Sequence, residues 1–302
     1  MTRIVAVLAS LLRGLLQAAL IVMLTFFLCR VMPGDVVDVL GLEGGLTAEQ
    51  QAEMRHSLGL DRPLPLQFAD WVGHALSGDF GRSIRFDRPV GEMLGAALPV
   101  TAKLAALSFC LGVALALLLA IAATARPSRW LDAAIDLVNT WSIAVPTFCA
   151  GVAAILVFSI WLGWLPVIGG LLVPALVVGL DNAGQIVKPL GEELREAVLL
   201  PHVRTARAKG LSPWRIAFAH VLPAAMPVVL ALSGLVLGGL VAGSLTMEVL
   251  FALPGLGSLT LNAIHGRDYP IILAAVTLIA VALVAINTIV DMLHRLIDPR
   301  VS

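Results

Sequence analysis

The run LAALSFCLGVALALLLAIAATA, from Leu104 to Ala125, contains 22 residues and no Asp, Glu, Lys or Arg. A helix that crosses the hydrocarbon core of a bilayer needs about 20 mostly apolar residues. A second charge-free run of the same length covers residues 269–290. Each of these two runs therefore predicts a membrane-spanning helix.

The composition of the whole chain agrees with this prediction. Among its 302 residues, 59% are hydrophobic and only 13% are charged, whereas soluble domains are about a quarter charged. This excess of apolar side chains excludes a disordered chain, a fibre and a disulfide-stapled secreted module. The formal net charge of zero gives no indication of a nucleic-acid partner. The chain is expected to be an all-α polytopic membrane protein.

Six spans are predicted when the remaining apolar runs are included. Residues 137–180 are charge-free over 44 positions and are interrupted by Gly, Pro and Trp, so they are long enough for two helices. A shorter run, Gly14 to Cys29, becomes a span if Arg13 and Arg30 extend to opposite faces of the bilayer. The predicted helices lie near residues 10–31, 100–124, 140–163, 171–190, 227–250 and 271–294.

The distribution of basic residues predicts the orientation. An even number of spans places both termini on one side, and that side carries most of the 20 Lys and Arg residues. Both termini are therefore expected in the cytoplasm. This divides the chain into a tail with the first helix (1–32), an external segment (33–98), a membrane domain (99–294) and a cytoplasmic tail (295–302).

The external segment is expected to be partly helical. Residues 46–59 predict a short helix that Thr47 caps and Gly59 ends, and an extended link at 61–65 precedes a second helix over 66–76. Such a segment either seals the outer mouth of the protein or docks a soluble partner. The two roles are equally compatible with the sequence.

A second polar block, residues 191–226, is expected in the cytoplasm. Pro201 can begin a helix and Gly210 can end it in a left-handed cap. Val203, Ala206 and Gly210 share a small apolar face surrounded by basic residues. That face suits close docking in a groove of another protein, although an ordinary basic loop near anionic lipid would have the same composition.

This block also resembles a known motif. The pattern Arg204-Thr205-Ala206, three residues, Gly210, nine residues and then His220-Val-Leu222-Pro223 resembles the EAA loop of the permeases of ABC importers. The spacing matches in full, with Arg204 in place of the family's Glu and His220 in place of its Ile. The amino-acid sequence of the loop is similar to that of the dipeptide, oligopeptide and nickel branch of the family.

Further motifs of this branch follow in order, from about residue 4 to residue 301, and identify the chain as similar to the B-type permease with a large external segment. They are Pro33-Gly34-Asp35, Gly78-Asp79-Phe-Gly81-Arg-Ser83, Leu98-Pro99-Val-Thr101, Pro146-Thr-Phe148, Glu248-x-x-Phe251-x-x-Pro254-Gly-Leu-Gly257, Arg267-Asp268-Tyr-Pro270 and Asp298-Pro-Arg300.

The resemblance implies a type I ABC importer permease fold in the bacterial inner membrane. The sequence has no G-x-x-x-x-G-K-[ST] phosphate loop, so no ATP site, cofactor or metal is expected on this chain and it is not expected to be an enzyme. Two ATPase subunits would bind ATP and Mg²⁺, a second, C-type permease would complete the pathway, and a soluble binding protein would deliver the solute. The residues implied in ATPase coupling are Arg204, Thr205, Ala206, Gly210, Leu222 and Pro223.

Polar residues within spans indicate the pathway. Asp181, Asn182 and Gln185 are candidates, although Asp181 has the alternative of pairing with Lys188 near the interface. Glu248 is either a gate or a structural ion partner. The solute is expected to be a di- or oligopeptide, with nickel, a metal–chelator complex, glutathione and opines as alternatives. A secondary transporter or channel is the rival function of another class.

Overall fold

The computed structural model describes residues 2–31, 34–44, 46–164 and 169–297. Within these ranges the chain forms helices and connecting segments, and its only β feature is an isolated bridge between Arg82 and Pro89. The prediction of an all-α protein is therefore confirmed. Pro33 and the closing motif Asp298-Pro-Arg300 lie outside the described residues.

In chain order the helices are α1 (Thr2–Val31), α2 (Val36–Gly44), α3 (Ala48–Ser57), α4 (Leu64–Leu76), α5 (Val90–Ala125), α6 (Arg129–Ala144), α7 (Thr147–Ala154), α8 (Leu172–Ala197), α9 (Pro201–Ala208), α10 (Pro213–Ile216), α11 (Leu222–Leu250), α12 (Leu256–His265) and α13 (Tyr269–Ile297). π-Helical turns extend α7 over Ile155–Trp161 and join α10 to α11 over Ala217–Val221.

Four stretches of described helix are long and apolar enough to cross a membrane: Leu11–Val31, Val90–Ala125, Pro213–Leu240 and Tyr269–His294. A fifth span exists if α6 and the helix from Thr147 to Trp161 count together, but they meet at an angle of 104°. The expectation of one helix over 140–163 is therefore wrong, because the chain bends sharply at Val145 and Pro146. Pro146 cannot donate a backbone hydrogen bond, and it holds Val145 in an extended conformation (φ −109°, ψ 110°).

The expected fourth span coincides with α8, which is too polar to meet the same apolar criterion. Half of its 26 residues are buried. A helix that neighbouring helices cover does not need an apolar surface on every side. That α8 spans the membrane, which would bring the number of spans to six, therefore stays a prediction. It depends on how α6, α7 and α11 enclose α8.

Two helices begin earlier than expected, because the proline near each expected start lies inside the helix and does not interrupt it. α5 starts at Val90 and contains Pro99, and α11 contains Pro227 and continues the helix that starts at Pro213. Proline is tolerated in such helices where neighbouring groups satisfy the freed carbonyls. As a result, one helical path runs from the polar block at residues 191–226 into the fifth predicted span.

The chain forms two compact units, which do not follow the divisions expected from the sequence. One unit comprises residues 1–7, 102–253 and 286–302, and the other comprises residues 8–101 and 254–285. The second unit joins most of the first helix and part of the last helix to the expected external segment.

In the second unit, the expected helix cap at Thr47 is confirmed. The Thr47 hydroxyl accepts the Gln50 N–H at 3.3 Å, and the Gln50 side chain accepts the Thr47 N–H at 2.9 Å. Gly59 follows the helix at φ +64°. The next helix, α4, begins at Leu64 rather than at 66, because a proline fits the first turn of a helix, where its missing N–H needs no partner.

No sequence pattern indicated α2, which an ion cluster holds against α3. Arg55 binds Asp35 at 2.8 Å and also contacts Asp38. Burial alone would raise the pKa of Asp35, but hydrogen bonds from Arg55 and from the Asp38 N–H bring that pKa below its ordinary value. The carboxylate is therefore charged at neutral pH and fixes the start of the expected external segment.

A buried carboxylate joins two of the motifs that are far apart in the sequence. Asp268 is fully buried and accepts hydrogen bonds from the Ser83 hydroxyl at 2.5 Å and from the backbone N–H groups of Ile84 and Arg85 at 3.4 and 3.3 Å. Burying a polar group is costly unless it is hydrogen-bonded, so these three donors make the burial of the Asp268 side chain possible. This contact fastens the loop before α5 to the turn before α13.

A second long-range contact joins another motif pair in the same unit. The Thr101 hydroxyl accepts the backbone N–H of Leu256 at 2.8 Å, so a side chain of α5 satisfies a free donor at the start of α12. Both groups are buried. The two contacts explain why these short motifs occur together in one chain.

In the other unit, α6 and α8 pack closely at Gly184. A Cβ atom there would lie 2.4 Å from Cβ of Ser142 and 2.6 Å from the carbonyl oxygen of Val138. The Asn139 side chain donates to the Gly184 carbonyl at 3.0 Å. Towards the C-terminal end of α8, the same helices are joined by the ion pairs Lys188–Asp136 at 3.3 Å and Arg195–Asp132 at 2.8 Å.

Asp268→Ala is expected to lower the free energy of unfolding by about 2–4 kcal/mol, because it leaves buried donors without an acceptor. Thermal unfolding in detergent measures the change. The matched control is Asp70→Ala, since Asp70 is half exposed and its pair with Arg62 is worth less than about 1 kcal/mol. Equal losses in the two variants would contradict the role assigned to Asp268.

Gly184→Ala is expected to destabilise the protein by about 1–3 kcal/mol, because the added methyl group overlaps α6. Gly239→Ala is the matched control, since a Cβ atom there meets nothing within 4 Å. The melting temperatures of the two purified variants test the difference. A Gly184→Ala protein as stable as the Gly239→Ala protein would show that α6 and α8 do not need this close approach.

Candidate functional site

The polar block after α8 folds as two short helices joined by a glycine turn. Pro201 occupies the first turn of α9, and Leu200 before it is extended (φ −62°, ψ 145°). Gly210 has φ +75°, and its N–H donates to the Arg207 carbonyl at 2.9 Å. The expected start and end of this helix are therefore confirmed, and glycine suits position 210 because it adopts this left-handed conformation without strain.

The second arm of the block leads directly into the membrane helices. The Ser212 hydroxyl accepts the Arg215 N–H at 3.4 Å and caps α10. The His202 ring donates to the His220 carbonyl oxygen at 3.1 Å, which ties the two arms together. Residues 201–221 are therefore held as one folded unit at the root of α11.

The apolar face of α9 points into this chain, which corrects the expectation that it docks elsewhere. Val203 is fully buried and Ala206 is 4% exposed, and α9 packs on α10 and the π-helical turn that follows it. Ala206 is therefore small because it fits against its own chain. It cannot touch another protein unless the loop opens.

The exposed face of α9 is basic. Arg204, Thr205, Arg207, Lys209 and Gly210 are exposed. Among the described residues, none of the three basic side chains has a carboxylate within ion-pair distance. At the root of α11, Leu222 is half-buried and Pro223 is exposed. The surface that this loop offers to a partner is therefore positively charged and solvent-accessible.

A cavity of about 350 Å³ lies between α7, α8 and α11 in the same unit. It brings together three of the four residues expected on the pathway, Asp181, Asn182 and Gln185. The rest of its wall is Thr147, Phe148, Val178, Val236, Gly239, Leu240, Gly243, Thr246 and Met247.

Neutral groups surround the carboxylate of Asp181. It accepts a hydrogen bond from the Ser142 hydroxyl at 2.9 Å and another from the Gln185 amide at 3.1 Å. Lys188, the expected alternative partner, binds Asp136 on α6 instead. That alternative is therefore wrong, since Lys188 lies two turns along α8 and extends towards the other helix.

The glycines of α11 serve two different purposes. Gly234 packs tightly, since a Cβ atom there would lie 2.6 Å from the Val290 side chain. Gly239 and Gly243 border the cavity, and a Cβ atom on either would meet nothing within 4 Å. Close helix packing thus explains the glycine at position 234, whereas the glycines at positions 239 and 243 leave room for the cavity.

The fourth expected residue, Glu248, lies elsewhere. Its side chain is fully buried and does not line the cavity, so of the two roles considered the structural one fits its position. Its carbonyl accepts the Leu253 N–H at 2.7 Å at the end of α11.

Three polar or aromatic residues of the wall were not expected from the sequence. Thr147 and Phe148 belong to the motif Pro146-Thr-Phe148, which indicated the family but gave no indication of a cavity. Thr246 had no sequence signal. Among the described residues there is also no cluster of three or more His, Cys, Asp or Glu side chains that could hold a metal ion.

The sequence matches two family models over nearly its whole length. Residues 112–302 match the binding-protein-dependent transport system inner membrane component, and residues 6–105 match the N-terminal part of the membrane component of such systems.

Curated relatives also align with this chain over nearly the whole length of both proteins. A putative peptide transport system permease protein of Brucella abortus (strain 2308) is 32% identical, with 93% of this chain and 94% of the relative covered. The di/tripeptide transport system permease protein DppB of Pseudomonas aeruginosa (strain UCBPP-PA14) is 32% identical over the same shares. The glutathione transport system permease protein GsiC of Salmonella choleraesuis (strain SC-B67) is 35% identical, with 95% and 96% covered.

The fold, the basic loop at the root of α11 and these full-length matches lead to one assignment. The chain is a multi-pass inner-membrane permease of the dipeptide and oligopeptide branch of ABC importers, not itself an enzyme, and it belongs to the family of binding-protein-dependent transport system inner membrane components.

Proposed function

We propose that this permease imports di- or oligopeptides, driven by ATP hydrolysis on partner subunits. The observation that carries the mechanism is the helix that runs from Pro213 through Leu250. One end of that helix belongs to the folded polar block, and its middle lines the cavity through Gly239 and Gly243. A push on the block would therefore reach the cavity along one continuous helical path.

Two ATPase subunits are the proposed source of that push. They would bind ATP and Mg²⁺, and the exposed face of α9 would dock on one of them. Closure of the ATPases would then move α9 and the helix attached to it, and so switch the cavity between the two sides of the membrane.

The residues proposed for coupling fall into three groups by their position. Arg204, Thr205 and Gly210 lie on the exposed face and would contact the ATPase. Ala206 is buried and would hold α9 on its own chain. Leu222 and Pro223 lie at the root of α11 and would transmit the movement. Arg204 stands where the family has an acidic residue, so the partner surface is expected to carry a matching carboxylate.

A second permease of the C type would complete the pathway, and a soluble binding protein would deliver the solute to the external segment. Both termini would lie in the cytoplasm, which places α9 on the side of the ATPases. The cluster of Arg55, Asp35 and Asp38 would keep the external segment ordered for that docking.

Peptides are the proposed solute because relatives of similar length are named as peptide and di/tripeptide permeases. Glutathione, itself a small peptide, is named for another relative. Nickel, a metal–chelator complex and opines remain alternatives. Asp181, Asn182 and Gln185 would meet the solute on its way.

The experiment is ATP hydrolysis by the whole complex reconstituted in proteoliposomes. The double variant Arg204→Glu/Arg207→Glu is expected to reduce the stimulation by solute-loaded binding protein about tenfold or more, because it reverses the charge of the docking face. Gly210→Arg is expected to have the same effect, since a side chain at φ +75° strains the turn. Gly210→Asn should retain most activity, because Asn tolerates this conformation.

Arg126→Glu is the matched control, since it reverses an exposed charge between α5 and α6, outside α9. It should leave the stimulation unchanged. If all the charge reversals behave alike, the docking face is not on α9. If the chain moves solute in the absence of ATPases, the protein is a secondary transporter and the proposal fails.

A further inference from the structure

We propose that the cavity between α7, α8 and α11 binds a positively charged amine of the transported solute through the carboxylate of Asp181. This inference rests on the transport function proposed above and narrows the class of solute to molecules with a free amino group, such as a peptide amino terminus.

The first step is the charge of the cavity. The two groups that hydrogen-bond to Asp181, the Ser142 hydroxyl and the Gln185 amide, are both neutral donors. Among the described residues, no Lys, Arg or His lies within 4.0 Å of this carboxylate, and Lys188 is bound to Asp136. A carboxylate has about four acceptor positions, so it has capacity for further donors. An unneutralised charge at a polar site within a membrane helix attracts a cation.

The second step excludes a bare metal ion. Hard divalent cations require about six oxygen ligands, and Ni²⁺ or Zn²⁺ prefers several nitrogen or sulfur ligands. Asp181 is not part of any metal-ligating cluster among the described residues. An ammonium group instead needs one carboxylate and a few neutral acceptors for its three N–H donors. The hydroxyls of Thr147 and Thr246 lie in the same wall.

The third step concerns the group next to the amine. Asn182 is 4% exposed and lines the cavity beside Asp181, and its Nδ2 has no hydrogen-bond partner among the described residues. A buried donor without an acceptor is costly. That nitrogen is itself buried, so a carbonyl oxygen of the solute would satisfy it once the Asn182 side chain rotates towards the cavity. The amino terminus of a peptide carries an ammonium group and a carbonyl two bonds apart, so it matches Asp181 and Asn182 together.

The size of the cavity agrees with such a ligand. A volume of about 350 Å³ is at the small end of the range for organic ligands. The Phe148 ring, which is about half exposed, forms an apolar part of the wall. Peptide side chains of many kinds could pass such a wall, while the charged amine sets the position of the backbone.

The test uses the complete complex in proteoliposomes, with ATP inside, binding protein outside and a mixture of isotope-labelled dipeptides with free amino termini as the probe. Asp181→Asn keeps the shape and the hydrogen-bond acceptor but removes the charge. It is expected to lower the initial rate of uptake about tenfold or more, while binding protein still stimulates ATP hydrolysis. Asp181→Glu should restore at least half of the wild-type uptake.

The matched control is Asp132→Asn, which removes one charge from the same unit but outside this cavity and leaves the Lys188–Asp136 pair intact. It should leave uptake unchanged. If Asp181→Asn behaves like Asp132→Asn, the inference is overturned. If Asp181→Asn abolishes both uptake and ATP hydrolysis and Asp181→Glu does not restore them, the residue is structural and the inference is also overturned. If the wild-type complex takes up none of the dipeptides, the proposed function fails rather than this inference.

Discussion

The close approach of α6 and α8 at Gly184 is the contact on which the larger unit depends. Because no side chain separates the helices, Ser142 can reach Asp181 and Asn139 can reach the Gly184 carbonyl. α8 can then be polar within a membrane protein, since α6 satisfies the Asp181 side chain and the Gly184 carbonyl. The cavity is a consequence of this packing, because the same polar face of α8 continues into it.

One helical path connects the basic loop to the cavity. α9 is fixed to the chain by buried Val203 and Ala206, and the helical path that follows continues through a π-helical turn to Leu250. A loop that packs on its own protein moves as a body with the helix that it covers. The residues available to a partner are then the charged ones, and an electrostatic contact of this kind weakens as salt increases.

The other unit shows how motifs distant in sequence serve one purpose. Asp268 and Thr101 each satisfy donors that would otherwise be buried without partners. A buried unpaired N–H is costly, so each motif is useful only when its partner motif is present. Arg55 adds a third connection within the expected external segment. Order in that segment is thus built from a few specific polar contacts rather than from a large core.

The sequence by itself determined the membrane class, most of the helices, the turns at Thr47 and Gly210 and the family, because charge-free length, capping residues and motif spacing are local properties. Only the tertiary structure decided which face of α9 is buried, that Lys188 binds Asp136, and that Asp181 lines a cavity from which Glu248 is absent. The reason is physical: a helical pattern shows which residues share a face, but the neighbour that covers that face is set by packing between segments far apart in the chain.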